Sequence, residues 1–96
     1  MAIVVVTIKI MPTGPDVDMN LLYDEAVELV REFVDDKHKD GEVRKEIEEI
    51  GFGIKALRLL FVMDESIGST DELENKIKDI TNVESVETVD VRRAIG

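Results

Sequence analysis

The residues most able to do chemistry crowd one short stretch, Asp35, Asp36, His38 and Asp40, with Gly41 behind them. Asp36-Lys37-His38-Lys39-Asp40-Gly41 imitates the opening of a calcium-binding loop, where alternate oxygens and a turning glycine wrap the cation. The twelfth position of such a loop must supply a bidentate glutamate, and here it is Ile47. Imidazole is also a poor ligand for so hard an ion, so the stretch reads as the solvated end of a helix. His38 is the only histidine. A general base needs a cleft and a partner carboxylate; between Lys37 and Lys39, His38 reads instead as a residue of a mobile surface loop. Ser66, Ser69 and Ser85 have no histidine beside them in the sequence, and there is no cysteine, which removes thiol nucleophiles, thiolate metal sites and disulfides together. No glycine-rich phosphate loop or zinc spacing can be assembled. The expectation is a protein that is not an enzyme and carries no metal or cofactor.

Two further features draw attention. Phe52 stands between Gly51 and Gly53, whose freedom in φ can lift the ring out of the fold. It either plugs one end of the core or serves as an aromatic anchor for a partner, the type of residue that dominates interfaces. At the other extreme, Arg92 and Arg93 stand side by side near the end of an acidic chain. Neighbouring strand positions face opposite ways, so only one of the two can point to a given sheet face. Either they are plain surface charge, or one guanidinium is aimed at a partner's carboxylates or phosphates.

The elements that must position these residues are legible from hydrophobic period. Ile3 to Met11 is β-branched at seven of nine positions and predicts a strand with Val4, Val6, Ile8 and Ile10 on its apolar face. The prolines and glycine of residues 11–16 end it. From about 18 to 37 the period is helical, with Leu22, Ala26, Leu29, Val30 and Phe33 on one face, Tyr23 and Val34 at its edge, and Asp16 or Asp18 as cap. Lys37 to Gly41 would close that helix. Val43 to Ile50 carries so many charges that it suits an edge strand, although a continuing helix also fits its period. Ile54 to Met63 predicts a strong strand burying Leu57, Leu59, Phe61 and Met63, with Lys55 and Arg58 on opposite faces. Ser69 and Glu72 fit a capping box for a helix that carries Leu73, Ile77 and Ile80, with Glu72–Lys76 and Glu74–Lys78 as outer pairs. Val83 to Arg92 completes the set, and the unlike parity of Val86 and Val89 leaves room for a bend or bulge.

The order β-α-β-β-α-β predicts an α+β ferredoxin-like sandwich: four antiparallel strands ordered 4-1-3-2, two helices on one face and the other face free. At 96 residues the chain is one domain's worth, expected to be a single ferredoxin-like unit over residues 1–96. Twelve basic side chains against 22 acidic give a net charge of −10, which disfavours nucleic acid and anionic membranes as partners. The apolar run Ala2–Val6 is too short to span a bilayer and lacks the basic leader of a signal peptide, so a soluble cytoplasmic protein is expected. Three uses of this fold find no residues: base-stacking aromatics on the first strand, paired cysteines for a metal carrier, and a basic cradle after the first strand for an acyl-phosphate hydrolase.

The string Ile50-Gly51-Phe52-Gly53-Ile54-Lys55-Ala56-Leu57 resembles the guanine-nucleotide-exchange domain family of elongation factor 1-beta, in its short archaeal form. The opening Val-Thr-Ile-Lys-Ile-Met-Pro (6–12), Pro-Asp-Val-Asp (15–18) and Val-Glu-Thr-Val-Asp-Val-Arg-Arg (86–93) agree with it in order along the whole chain. The resemblance implies a factor that binds elongation factor 1-alpha, a GTPase, and speeds GDP release so that GTP can reload, with no small-molecule substrate of its own. It implies that Phe52 inserts into the partner, that Gly51 and Gly53 shape its turn, and that Lys55 of the same string lies at the contact. Eukaryotic members carry a lysine near their end that is pushed towards the partner's magnesium site. The matching position here is Gly96, so either Arg92 or Arg93 supplies the cation or the archaeal-type mechanism works differently. A ligand-sensing ferredoxin-like module, dimerising through its free sheet face, is the rival that the fold also allows.

Overall fold

β1 (Ile3–Pro12), α1 (Met19–Phe33), β2 (Arg44–Gly51), β3 (Ile54–Asp64), a short 3-10 turn (Glu65–Ile67), α2 (Asp71–Lys78) and β4 (Val83–Arg93) follow one another in the computed structural model, which describes residues 2–94. The strands form one antiparallel sheet in the order β2-β3-β1-β4, with the two strongest β-formers, β1 and β3, at its centre. This is the α+β ferredoxin-like arrangement expected from the sequence. Charged β2 lies at an edge, where one side of its ladder faces solvent, and the helical alternative for it is excluded.

The core lies between the sheet and the helices. Val6, Ile8 and Ile10 of β1 meet Leu57, Leu59, Phe61 and Met63 of β3 there, under Leu22, Ala26 and Val30 of α1 and Leu73 and Ile77 of α2. In α1 the fully buried stripe includes Val27, while Leu29 and Phe33 are only partly covered, so its contact face is rotated slightly from the expected one. The open face of the sheet carries a row in exact cross-strand register, Glu46, Arg58, Lys9 and Glu87, one residue from each strand. Alternating charge along such a row is favourable except at its centre, where Arg58 and Lys9 face each other. Glu48, one pleat further on, relieves that clash by reaching Arg58 Nη1 at 3.2 Å and Lys9 Nζ at 3.6 Å. Arg58 Nε is buried and finds no acceptor among the described residues.

Several boundaries differ from the sequence-based expectation for identifiable reasons. Asp18, and not Asp16, caps α1 by accepting from the N–H groups of Asn20 and Leu21. The helix stops at Phe33 and not near residue 37. Asp35 leaves the helical path because its carboxylate is wanted elsewhere: Oδ1 accepts the Asp64 N–H at 2.8 Å and Oδ2 meets His38 Nδ1 at 2.7 Å. His38 is therefore fastened and half-buried, not a mobile surface residue. The capping box at α2 does not form. Thr70 occupies the cap position without a side-chain cap bond, and Ser69 Oγ accepts from the Asp71 N–H. Glu74 turns inward to the hydroxyls of Thr70 and Thr88 instead of pairing with Lys78, whereas Glu72–Lys76 forms at 3.5 Å. In β4 the register shifts opposite Thr7 and Ile8, which makes Val89 the extra residue of a bulge. No helix among the described residues is long and apolar enough to cross a membrane.

Candidate functional site

The β2–β3 hairpin closes with Gly51 opposite Ile54, leaving Phe52 and Gly53 as a two-residue turn. Both have positive φ, 56° and 79°, the combination by which such a turn matches the twist of its strands. Gly53 adopts it freely, and a Cβ there would meet Pro15 only at ordinary contact distance, so glycine is needed for its conformation and not for space. Phe52 has no such freedom. A left-handed backbone costs a residue with a Cβ roughly 1–2 kcal/mol. The ring recovers nothing within the chain, because it is fully exposed, at 104%. Of the two readings open for Phe52, the core plug is therefore excluded. The ladder skips Ile50 just before the turn, and Gly51 with φ 129° absorbs the irregularity.

Apolar surface continues around the ring: Ile50 and Ile47 of β2 are both more than 40% exposed. The loop after β1 packs against the foot of the hairpin. Pro12, Pro15, Val17 and Met19 share with Gly53 and Lys55 a shallow cleft of about 270 Å³. Lys55 is exposed opposite Glu49 and takes part in no ion pair among the described residues. The structure thus brings Gly51, Phe52, Gly53 and Lys55 together at one end of the sheet.

Arg92 and Arg93 lie at the other end. Arg93 stands opposite Val4, whose β3 partner is Met63. The nine-residue step from Ile54 to Met63, at about 3.3 Å per residue, separates the two ends by roughly 30 Å along a molecule 43 Å long. The two arginines also differ from each other. Arg93 grips Glu65 with a two-pronged bond, Nε to Oε2 at 2.6 Å and Nη2 to Oε1 at 2.8 Å. Arg92 points to the open sheet face and touches Asp90 through Nε alone, at 2.8 Å. Gly96, the position of the eukaryotic lysine, lies outside the described residues.

Sequence reasoning missed the carboxylates that organise this end. The Arg93 guanidinium holds the Glu65 carboxyl below its ordinary range, and Glu65 in turn raises Arg93. The Ser66 N–H and hydroxyl lower Asp64. Partial burial works to raise Asp35, but bonds from the Asp64 N–H and His38 outweigh it and lower the group. Only the contacts between distant elements reveal these roles, and the one hint in the sequence was the density of acids at 64 and 65.

Charge is unevenly shared. The four strands hold seven basic and seven acidic side chains, so the whole net charge of −10 belongs to the helices and connections. Among the described residues no three acidic or imidazole side chains gather as a metal ion would require.

Residues 5–94 match the family model of the EF-1 guanine nucleotide exchange domain. Curated relatives named elongation factor 1-beta include one from Methanothermobacter thermautotrophicus, 39% identical over 94% of both chains. Another, from Methanocaldococcus jannaschii, is 37% identical over 98% of this chain and all of its own. A third, from Staphylothermus marinus, is 35% identical over 97% of this chain and 98% of its own. Among solved structures, BlrP1 BLUF superposes with a TM-score of 0.54 at 11% identity. All of this chain is covered in that superposition, against 57% of the other, and the likeness concerns the fold alone.

Proposed function

Because the chain belongs to the EF-1 guanine nucleotide exchange domain family, and so acts in guanine nucleotide exchange during elongation, we propose that its partner is elongation factor 1-alpha and that it promotes GDP release in the cytoplasm. The observation that carries this reading is Phe52: a strained, fully exposed aromatic on a hairpin tip, inside the matched region. Strain of this kind persists where function selects it. The chain works as one unit and needs no nucleotide pocket of its own. It binds the nucleotide-free partner more tightly than the GDP-bound one, and by linkage it weakens GDP by the same factor.

Phe52 anchors the hairpin end, with Gly51 and Gly53 holding its turn and Lys55 beside it. Arg92 is the better candidate for the second contact. Among the described residues its terminal nitrogens have no partner, whereas Arg93 is committed to Glu65 through both Nε and Nη2. Two contacts roughly 30 Å apart on one stiff sheet would address two separate places on the GTPase, setting their spacing. No observation favours the ligand-sensing dimer.

The test is release of fluorescent GDP from elongation factor 1-alpha in excess GTP. The wild-type chain should accelerate release in a concentration-dependent way. Phe52→Ala should weaken partner affinity by about 2 kcal/mol or more, the scale of an interface hot spot. Arg92→Ala should slow release more than Arg93→Ala does. No acceleration with an active partner would overturn the reading, and an unaltered Phe52→Ala would remove the anchor.

A further inference from the structure

Where α1 ends early, residues 35–43 arch over a stretch of β3 that β2 does not reach, since the β2 ladder begins at Arg44 opposite Leu60. Under the arch lies a cavity of about 360 Å³, within the range of small-molecule sites. It wraps the bare edge of β3, with Val30 and Val34 of α1, Val43 of the arch and Phe61 on the helix side, and Val5, Leu60 and Val62 on the open face of the sheet. The arch is braced along its length. Arg31 Nη1 donates to the carbonyls of Lys39 and Gly41 at 2.8 and 3.2 Å, and the Gly41 N–H donates to His38 O at 3.0 Å. Asp35 ties its start to β3, and the Tyr23 hydroxyl donates to Val43 O at 2.6 Å at its end. A segment this firmly bonded, standing off an apolar wall, keeps the space open.

The rim runs against the charge of the molecule. Two guanidiniums, Arg31 and Arg44, stand there with one carboxylate, Glu42, in a chain of net charge −10, and His38 is already bonded to Asp35. Arg44 is exposed and in no ion pair among the described residues. We propose that this cavity binds a small apolar monocarboxylate, an alkyl chain of medium length or a single aryl ring, with its body against Val5, Leu60 and Val62 and its carboxylate at Arg44. The site lies far along β3 from the Phe52 hairpin and goes beyond the exchange reading, standing or falling independently of it.

The test is a titration of the full chain with octanoate, followed by amide chemical shifts, with octylammonium as the charge-reversed control. Saturable shifts are expected at Gly41, Val43, Leu60 and Val62 with octanoate and not with octylammonium. Arg44→Gln, a surface change, should weaken binding about tenfold or more, as the loss of a charge-assisted bond does. Val62→Phe should fill the space and abolish the shifts while the remaining spectrum stays dispersed. The proposal is overturned by no saturable shift at those amides, by equal shifts with octylammonium, or by undiminished binding in both variants.

Discussion

Phe52 sets stability and function against each other at a single residue. Its backbone conformation suits asparagine far better than phenylalanine, and its ring makes no packing contribution that a substitution could lose. Phe52→Asn should therefore stabilise the fold by about 1 kcal/mol in urea melts, while it removes the proposed anchor and slows GDP release. A variant that is both less stable and slower would mean that the ring supports the hairpin after all. The glycines around Phe52 made it conspicuous in the sequence, yet plug and anchor could not be told apart there. That distinction depends on which residues fall in the two-residue turn, and so on a ladder register that skips Ile50. The difference between Arg92 and Arg93 was half legible: alternation separates their faces, but nothing local announces Glu65 as the partner of one.

At the scale of elements, hydrophobic period was sufficient for β1, β3 and both helices because each has one face in a common core, whereas β2 is exposed along its length and its period also fitted a helix. The ends were harder, since long-range bonds override local signals there. The α2 terminus is the clearest case. Ser69 and Glu72 have capping-box spacing, but the Thr70 hydroxyl is drawn inward to Thr88 at 2.8 Å, and Glu74 accepts from both threonines. Two hydroxyl protons serve three short oxygen pairs, so only two of these bonds exist at a time. Glu74→Ala should cost about 1–2 kcal/mol, because it leaves half-buried hydroxyls short of an acceptor, whereas Glu72→Ala should change stability by less than about 0.5 kcal/mol. Equal losses in thermal or urea melts would show that the capping box forms in solution. The early stop of α1 has the same origin, with Asp35 leaving the helix to bond Asp64, which is twenty-nine residues away.

Across the whole molecule, charge and strain are distributed by end and by layer. Asp24, Glu28 and Glu32 form an exposed like-charge series at i, i+4 on α1. Glu28→Lys turns two repulsions into attractions and should raise stability by about 1 kcal/mol at low salt, with the gain fading as salt is added. Among the described residues the groups with displaced pKa values, Asp35, Asp64, Glu65 and Arg93, gather at the end where β1 starts and β4 finishes. Carboxyls held below their ordinary values stabilise the fold fully above those values and cease to as pH falls through the lowered ones. Below about pH 4, hydrogen exchange should thus quicken at Asp64 and Ser66 before it does in the hairpin. Uniform loss of protection would count against a localised acid-sensitive end. β3 runs unbroken between these two ends with β1 paired beside it, and this governs how the fold can change in length. An insertion of one residue into it would swap every inward side chain for an outward one, so viable length variants should come in pairs of residues, matched in β1, each lengthening the sheet by roughly 7 Å. The reach of this small protein is thereby quantised, with the pleat as its unit of measure.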